Sequence, residues 1–290
     1  MTKDNIEITD KTAATAAHHM EGRNFSRTDY LLRGISPGIG KEKIENARQI
    51  LAATAEKGFI YVPLQMIPHA KSLVIGAMRT VPPGLFVATK GNDTAKLFAK
   101  DNPDTKRIAF VGTRMNTSYG RKVVARRMET MQDNILVTAF GLGVSQEATI
   151  IALEKEIPVI AVMATGPGDC YPNVLRDTMQ KLMDTPGCAV VTPFFPGDNV
   201  SPENFLLRNT ITAMLCDETF VAQSKISGNA MDIARKTEQQ GKKVYAAAGP
   251  YDDMYSTGCL QLIAEGTAQI WTPWKMQEYG EDKGLPDNES

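Results

Sequence analysis

From residue 71 onward the sequence alternates short, nearly unbroken apolar runs with helical patterns, and this alternation narrows the possible folds more than any other feature. The runs are SLVIGAM, LFVAT, IAFV, ILVTAF, PVIAVM, CAVVTPF, TFVAQ and KVYAAA. Helical spacing fills 119–132, 145–156, 173–183, 203–215 and 228–240. Strands that are apolar on both faces belong in a sheet covered by helices on both sides, and strand–helix repetition makes the pairing parallel. The pattern predicts an α/β protein with a Rossmann-like, doubly wound, mostly parallel sheet.

Upstream, residues 1–27 are polar and rich in Ala and Thr, which reads as a flexible leader. Residues 28–70 hold two helical patterns joined by S-P-G-I-G-K, with Ile44, Ala47, Ile50, Leu51 and Thr54 spaced for one face. They predict a small N-terminal helical domain of the helix-hairpin-helix (SAM-like) kind. Gly38 and Gly40 serve either a plain helix–helix turn or a close approach of backbone amides to a DNA phosphate, and both readings stand. The Rossmann-like core is then 71–275, and the acidic 276–290 reads as a disordered tail.

The chain has 290 residues, 42% of them hydrophobic, enough for one large core and a smaller unit. With a net charge of −1, attraction to nucleic acid must come from a local cluster. One exists: Lys106, Arg107, Arg114, Arg121, Lys122, Arg126 and Arg127 fall within 22 residues. Such a run is as often a solvated helix face. Cys170, Cys188, Cys216 and Cys259 form no C-x-x-C pair, so neither a zinc site nor a disulfide framework is indicated. No apolar stretch has the length of a signal peptide core or of a membrane span (about 20 residues), and a cytoplasmic protein is expected.

In open sheets of this type, ligands bind beyond the carboxyl ends of the strands. After IAFV comes Gly112-Thr113-Arg114, then a turn through Asn116, Thr117 and Ser118 into a helix beginning near Tyr119 and Gly120. Free amides at a helix start, together with Arg114, Arg121 and Lys122, make a corner suited to an anion. Other strand ends supply G-L-G-V-S around Gly143 and S-K-I-S-G-N with Lys225, Ser227 and Gly228. Glycines, hydroxyls and bases recur there, and clusters of carboxylates do not.

Several chemistries are set aside. G-V-S-Q-E at 143–147 lacks the closing glycine of a nucleophile elbow, and His18, His19 and His69 all lie upstream of it. Ser145 reads as a helix N-cap. The turn G-T-R-M-N-T-S-Y-G matches neither the dinucleotide fingerprint nor a Walker loop. No cofactor is expected, and catalysis has no obvious candidates.

The ordered motifs VGTR (111–114), SYGRKVVA (118–125), ATG with YP (164–166, 171–172), NFLLRNTI (204–211), SG (227–228) and STGCLQLIAEG (256–266) resemble the DNA-processing protein DprA (Smf) family. Upstream, PPGLFVATKGN (82–92) is similar to its entry into the Rossmann-like core, and coverage is roughly 30–272. The resemblance implies a non-catalytic homodimer without a membrane anchor that binds single-stranded DNA and helps load a RecA-type recombinase during transformation. It implies a phosphate pocket from Gly112, Thr113, Arg114, Tyr119, Gly120, Arg208, Asn209, Ser227 and Gly228, with Thr138 and Gly143 in the family's S-G-L-A-R-G-I-D segment. That segment reads TAFGLGVS here, so Leu142 and Ser145 replace an arginine and an aspartate.

An alternative from another class is a small-nucleotide sensor or nucleotide-processing enzyme on the same fold, with Glu147 or Asp169 as the acid or base. A third is a degenerate paralogue serving protein interaction. Bases could stack on Phe140, Tyr171, Phe194 or Phe195, although core packing is the commoner role for such residues.

Overall fold

The computed structural model describes residues 9–21, 39–67, 82–92, 104–198 and 200–273. Seven parallel strands form the body of one sheet: β3 (Arg107–Gly112), β4 (Ile135–Ala139), β5 (Val159–Val162), β6 (Ala189–Thr192), β7 (Glu218–Gln223), β8 (Lys243–Ala247) and β9 (Gln269–Trp271). Two more, β1 (Ile60–Pro63) and β2 (Gly84–Thr89), extend it antiparallel beyond β6, so the order is β1-β2-β6-β5-β4-β3-β7-β8-β9. The expected doubly wound, mostly parallel sheet is therefore present. From β3 the chain winds outward through β4, β5 and β6, then returns to the other side of β3 for β7, β8 and β9. The direction reverses between β3 and β7, which is where such folds open a ligand crevice.

Alternation along the strands builds two cores. In β3, Ile108 and Phe110 point to one layer while Ala109 and Val111 point to the other. The first layer is covered by α1 (Asp10–Glu21), α2 (Lys41–Glu56), α3 (Ser118–Met128), α4 (Val144–Glu154) and α5 (Arg176–Asp184). The second lies under α6 (Pro202–Leu215), α7 (Asn229–Glu238) and α8 (Thr257–Ala264).

The N-terminal region departs from expectation. The supposed leader contains α1, whose Ala13, Ala16 and Ala17 are buried. Alanine lets this helix approach closely, and His19 then fits against an aromatic cluster. Its Nδ1 is 3.1 Å from the Tyr61 hydroxyl, and its ring meets Phe195 edge-on at 5.0 Å. The region 28–70 is likewise not purely helical, because Ile60–Pro63 pairs with β2 as the sheet's edge strand. A four-residue edge strand carries too few residues to show a period, so it merged with the preceding helical pattern. The short β9 also went unread, and the helix expected over 173–183 opens with a 3₁₀ turn at Asn173–Leu175 before α5. SLVIGAM at 72–78, the S-P-G part of the hairpin with Gly38, His69 and the tail 276–290 lie outside the described residues.

Candidate nucleic-acid interface

A cavity of about 420 Å³ opens beyond the carboxyl ends of β3, β4 and β7, at the point where the strand order reverses. Its wall includes Gly112, Thr113, Arg114, Arg208, Lys225, Ser227 and Gly228, all expected from the sequence. Leu142 and Ser145, the two replacements in the TAFGLGVS segment, also line it, whereas sequence reading had not placed Met115, Gly141 or Tyr255 there. None of its lining residues is Asp, Glu, His or Cys.

The backbone makes this corner by close approach. β3 shifts register between Val111 and Gly112, and the Thr113 amide then donates to the Gln223 carbonyl at 2.7 Å. Gly143 has φ 75° and precedes α4; a side chain there would strike the Thr113 and Arg114 carbonyls. Gly143 thus shapes the wall without lining it. Ser145 is a residue of α4 rather than its N-cap, and it lines the cavity where the resemblance leads one to expect an aspartate.

Two helix starts face the cavity. α4 follows Gly143 and α7 follows Gly228, and neither has a side-chain cap, so first-turn amides near Ser145, Asn229 and Ala230 present partial positive charge. The start of α3, expected to be the anion corner, is occupied from within. Thr117 accepts from the Gly120 amide at 3.3 Å, while Gln223 Oε1 accepts from both the Thr117 amide and hydroxyl. Gly120 is buried against Gln223 and Asn116, Tyr119 packs against Gly249, and Arg121 donates to the Asn116 carbonyl at 2.9 Å. Tyr119, Gly120, Arg121 and Lys122 all lie outside the cavity.

The basic run is also divided. Six strand residues span about 20 Å, so Arg107 sits at the far end of β3 from Arg114. An eleven-residue helix covers about 16 Å, and α3 carries Arg126 and Arg127 back to that far end. There Lys106 and Arg127 hold Glu218 at 3.0 and 3.1 Å, Arg107 meets Asp217 at 3.4 Å, and Arg126 pairs with Glu129. Of the seven bases, Arg114 alone lines the cavity.

Arg208 provides the second guanidinium. It is only 6% exposed, donates through Nη2 to Asn209 Oδ1 at 2.8 Å, and its Nε has no hydrogen-bond partner. Asn209 is buried behind it and donates to Asp232 at 3.0 Å, so it orients the arginine rather than meeting a ligand. Arg114 and Arg208 both lie over the Phe205 ring, 5.6 and 5.0 Å from its centroid. Burial, and then the nearby charge of Arg114, lower the Arg208 pKa to about 10. Lys225, also in the lining, stands 4.4 Å over the Tyr255 ring.

The remaining site candidates are accounted for as follows. Thr138 is fully buried in β4, with its hydroxyl unpartnered. Glu147 and Asp169 do not line the cavity. Of the possible stacking aromatics, Phe140 and Phe194 are buried, Phe195 belongs to the His19 cluster, and Tyr171 is 42% exposed beside Phe205. Phe205 itself was missed. It lies three residues before Arg208 on α6, and that i, i+3 spacing was a readable signal.

Comparisons with known proteins identify the family and the fold. The family model described as DNA recombination-mediator protein A matches residues 79–279. The chain belongs to this family. DNA processing protein DprA of Streptococcus pneumoniae is 30% identical over 180 residues, covering 60% of this chain and 62% of that protein. DprA of Bacillus subtilis is 25% identical over 229 residues, covering 77% and 72%. Protein Smf of Escherichia coli is 28% identical over 59% of this chain and 46% of its own length. The chain thus spans less than two thirds of the pneumococcal and Escherichia coli relatives.

Among solved structures, the fold of pneumococcal DprA superposes with a TM-score of 0.70 at 22% identity, over 92% of this chain and 96% of that one. Helicobacter pylori DNA processing protein A, studied for its unique single-stranded DNA binding mode, superposes with a TM-score of 0.61 at 22% identity, over 77% and 95%. Among the described residues no helix is long and apolar enough to cross a membrane.

Proposed function

We propose that this chain is a recombination mediator that binds single-stranded DNA in the cavity between β3 and β7. The observation that carries the reading is the convergence of Arg114, Arg208 and Lys225 on one wall system with no acidic lining residue. Guanidinium forks and helix-start amides suit phosphate oxygens, and Phe205 and Tyr171 offer faces to unstacked bases. Gly112, Thr113, Ser227 and Gly228 contact the backbone of the strand, while Thr138, Asn209 and Gly143 support that wall from behind. Tyr119, Gly120, Arg121 and Lys122 contribute charge and shape at a distance from it.

The protein acts without catalysis, as a homodimer in the cytoplasm, and delivers the strand to a RecA-type recombinase in transformation or recombination. Family membership and the shared fold support these roles. Titration with single- and double-stranded oligonucleotides at two salt concentrations tests the reading. Single strands should bind more tightly, with log affinity falling by roughly 0.7 per phosphate contact for each decade of salt. Equal, salt-insensitive binding of both forms, or tight binding of a free mononucleotide with none of DNA, would reject it.

A further inference from the structure

The cavity carries more positive charge than an internal phosphodiester needs. Arg114 and Lys225 have no ion-pair partner among the described residues, and Arg208 shares Asp232 with Lys236, whose ammonium lies 2.7 Å from that carboxylate. Two uncapped helix starts add to this surplus. Each phosphodiester brings one negative charge, whereas a terminal phosphate monoester brings about −1.5 to −2 at pH 7 and three acceptor oxygens.

Shape points the same way. At about 420 Å³ the cavity falls within the size of small-molecule pockets, roughly 300–1,000 Å³. A chain that continues in both directions must enter and leave such a recess, while a chain end can simply fill it. At its wall the Nε of Arg208, a residue only 6% exposed, has no hydrogen-bond partner.

We infer that the cavity is a subsite for the terminal phosphate monoester of a single strand, so that the protein prefers phosphorylated strand ends. This rests on the strand-binding reading of the same cavity. Arg114 and Arg208 grip the phosphoryl oxygens from the Phe205 side, Lys225 closes on them from the Tyr255 side, and the α7 amides take the remaining oxygen.

Calorimetry on the full chain with an oligonucleotide of about six nucleotides tests the inference. Four ligands are compared: 5′-phosphorylated, 3′-phosphorylated, hydroxyl at both ends, and a free nucleoside 5′-monophosphate. One phosphorylated oligonucleotide should bind about tenfold tighter than the hydroxyl form. That advantage should shrink at pH 5.5, because the second phosphate proton returns near pH 6. Lys225→Met should weaken the hydroxyl form as well, and the phosphorylated form by up to about tenfold more, so that the advantage is lost.

Equal binding of the three oligonucleotides overturns the end preference and leaves strand binding intact. Binding of none of them overturns both readings. Tight binding of the mononucleotide with no oligonucleotide bound assigns the pocket to a free nucleotide, which also overturns the inference.

Discussion

Arg114 and Arg208 share a single aromatic ring, their guanidinium carbons 5.6 and 5.0 Å from the centroid of Phe205 although they come from different elements of the fold. Two like charges over one ring repel each other, and the Arg208 pKa is lowered first by burial and then by the charge of Arg114. Such an arrangement is stable only when an anion, or a carboxylate held nearby, compensates. Asp232 supplies some of this through Asn209, and the strand phosphate proposed for the cavity would supply the rest.

The two arginines should respond differently to removal. Arg114 is exposed, so Arg114→Ala should change stability by no more than about 0.5 kcal/mol while reducing affinity for every single-strand sequence alike. Arg208→Ala unpairs the buried Asn209 and should cost about 1–3 kcal/mol of stability as well as binding. Denaturant titration beside a salt-controlled shift assay separates the effects. Unchanged binding by both variants would remove this cavity from consideration.

Phe205→Leu tests the shelf itself. It retains every charge, so the salt slope of binding should stay within about one phosphate contact of the parent. Affinity should still fall, by roughly 1–3 kcal/mol if a base stacks there. A change in slope with unchanged affinity at low salt would show that Phe205 positions charge and does not receive bases.

The sheet and its strand ends were legible because the apolar runs are uninterrupted and the positions following them are chemically uniform. Gly112, Thr113, Arg114, Lys225, Ser227 and Gly228 could thus be found without coordinates. What failed was distance along elements: Lys106, Arg107, Arg126 and Arg127 are near Arg114 in sequence but at the other end of the sheet, facing Asp217, Glu218 and Glu129. The start of α3 looked free because its internal partner, Gln223, lies about a hundred residues away. Non-local hydrogen bonds of that kind leave no trace in local periodicity. The docking of α1 and β1 through His19 and Tyr61 is another instance.

That N-terminal contact should make stability sensitive to acid. Burial, and secondarily His18, push the His19 pKa from 6.5 down to about 3. A histidine held neutral in the folded state but free to protonate when unfolded contributes stability above pH 6.5 that is progressively lost as pH falls toward 3. The slope from one such group is about 1.4 kcal/mol per pH unit. His19→Gln, which cannot titrate, should show a shallower loss than the parent between pH 6.5 and 4. Superimposable pH profiles would place His19 in water.

Ser145→Asp reintroduces at the cavity wall the carboxylate that resemblance to the family leads one to expect there. Ser145 is buried and lines a cavity whose other walls carry Arg114, Arg208 and Lys225. A carboxylate at that position competes with phosphate for the same cations and neutralises one positive charge. Single-strand affinity should therefore fall about tenfold or more, and the salt slope should drop by roughly one contact. Folding should be preserved, because the new charge meets guanidinium groups and the start of α4, where an acid is favourable. Raised affinity in the variant would mean that the ligand offers a donor rather than a phosphate at this wall, and the anion reading of the cavity would be lost.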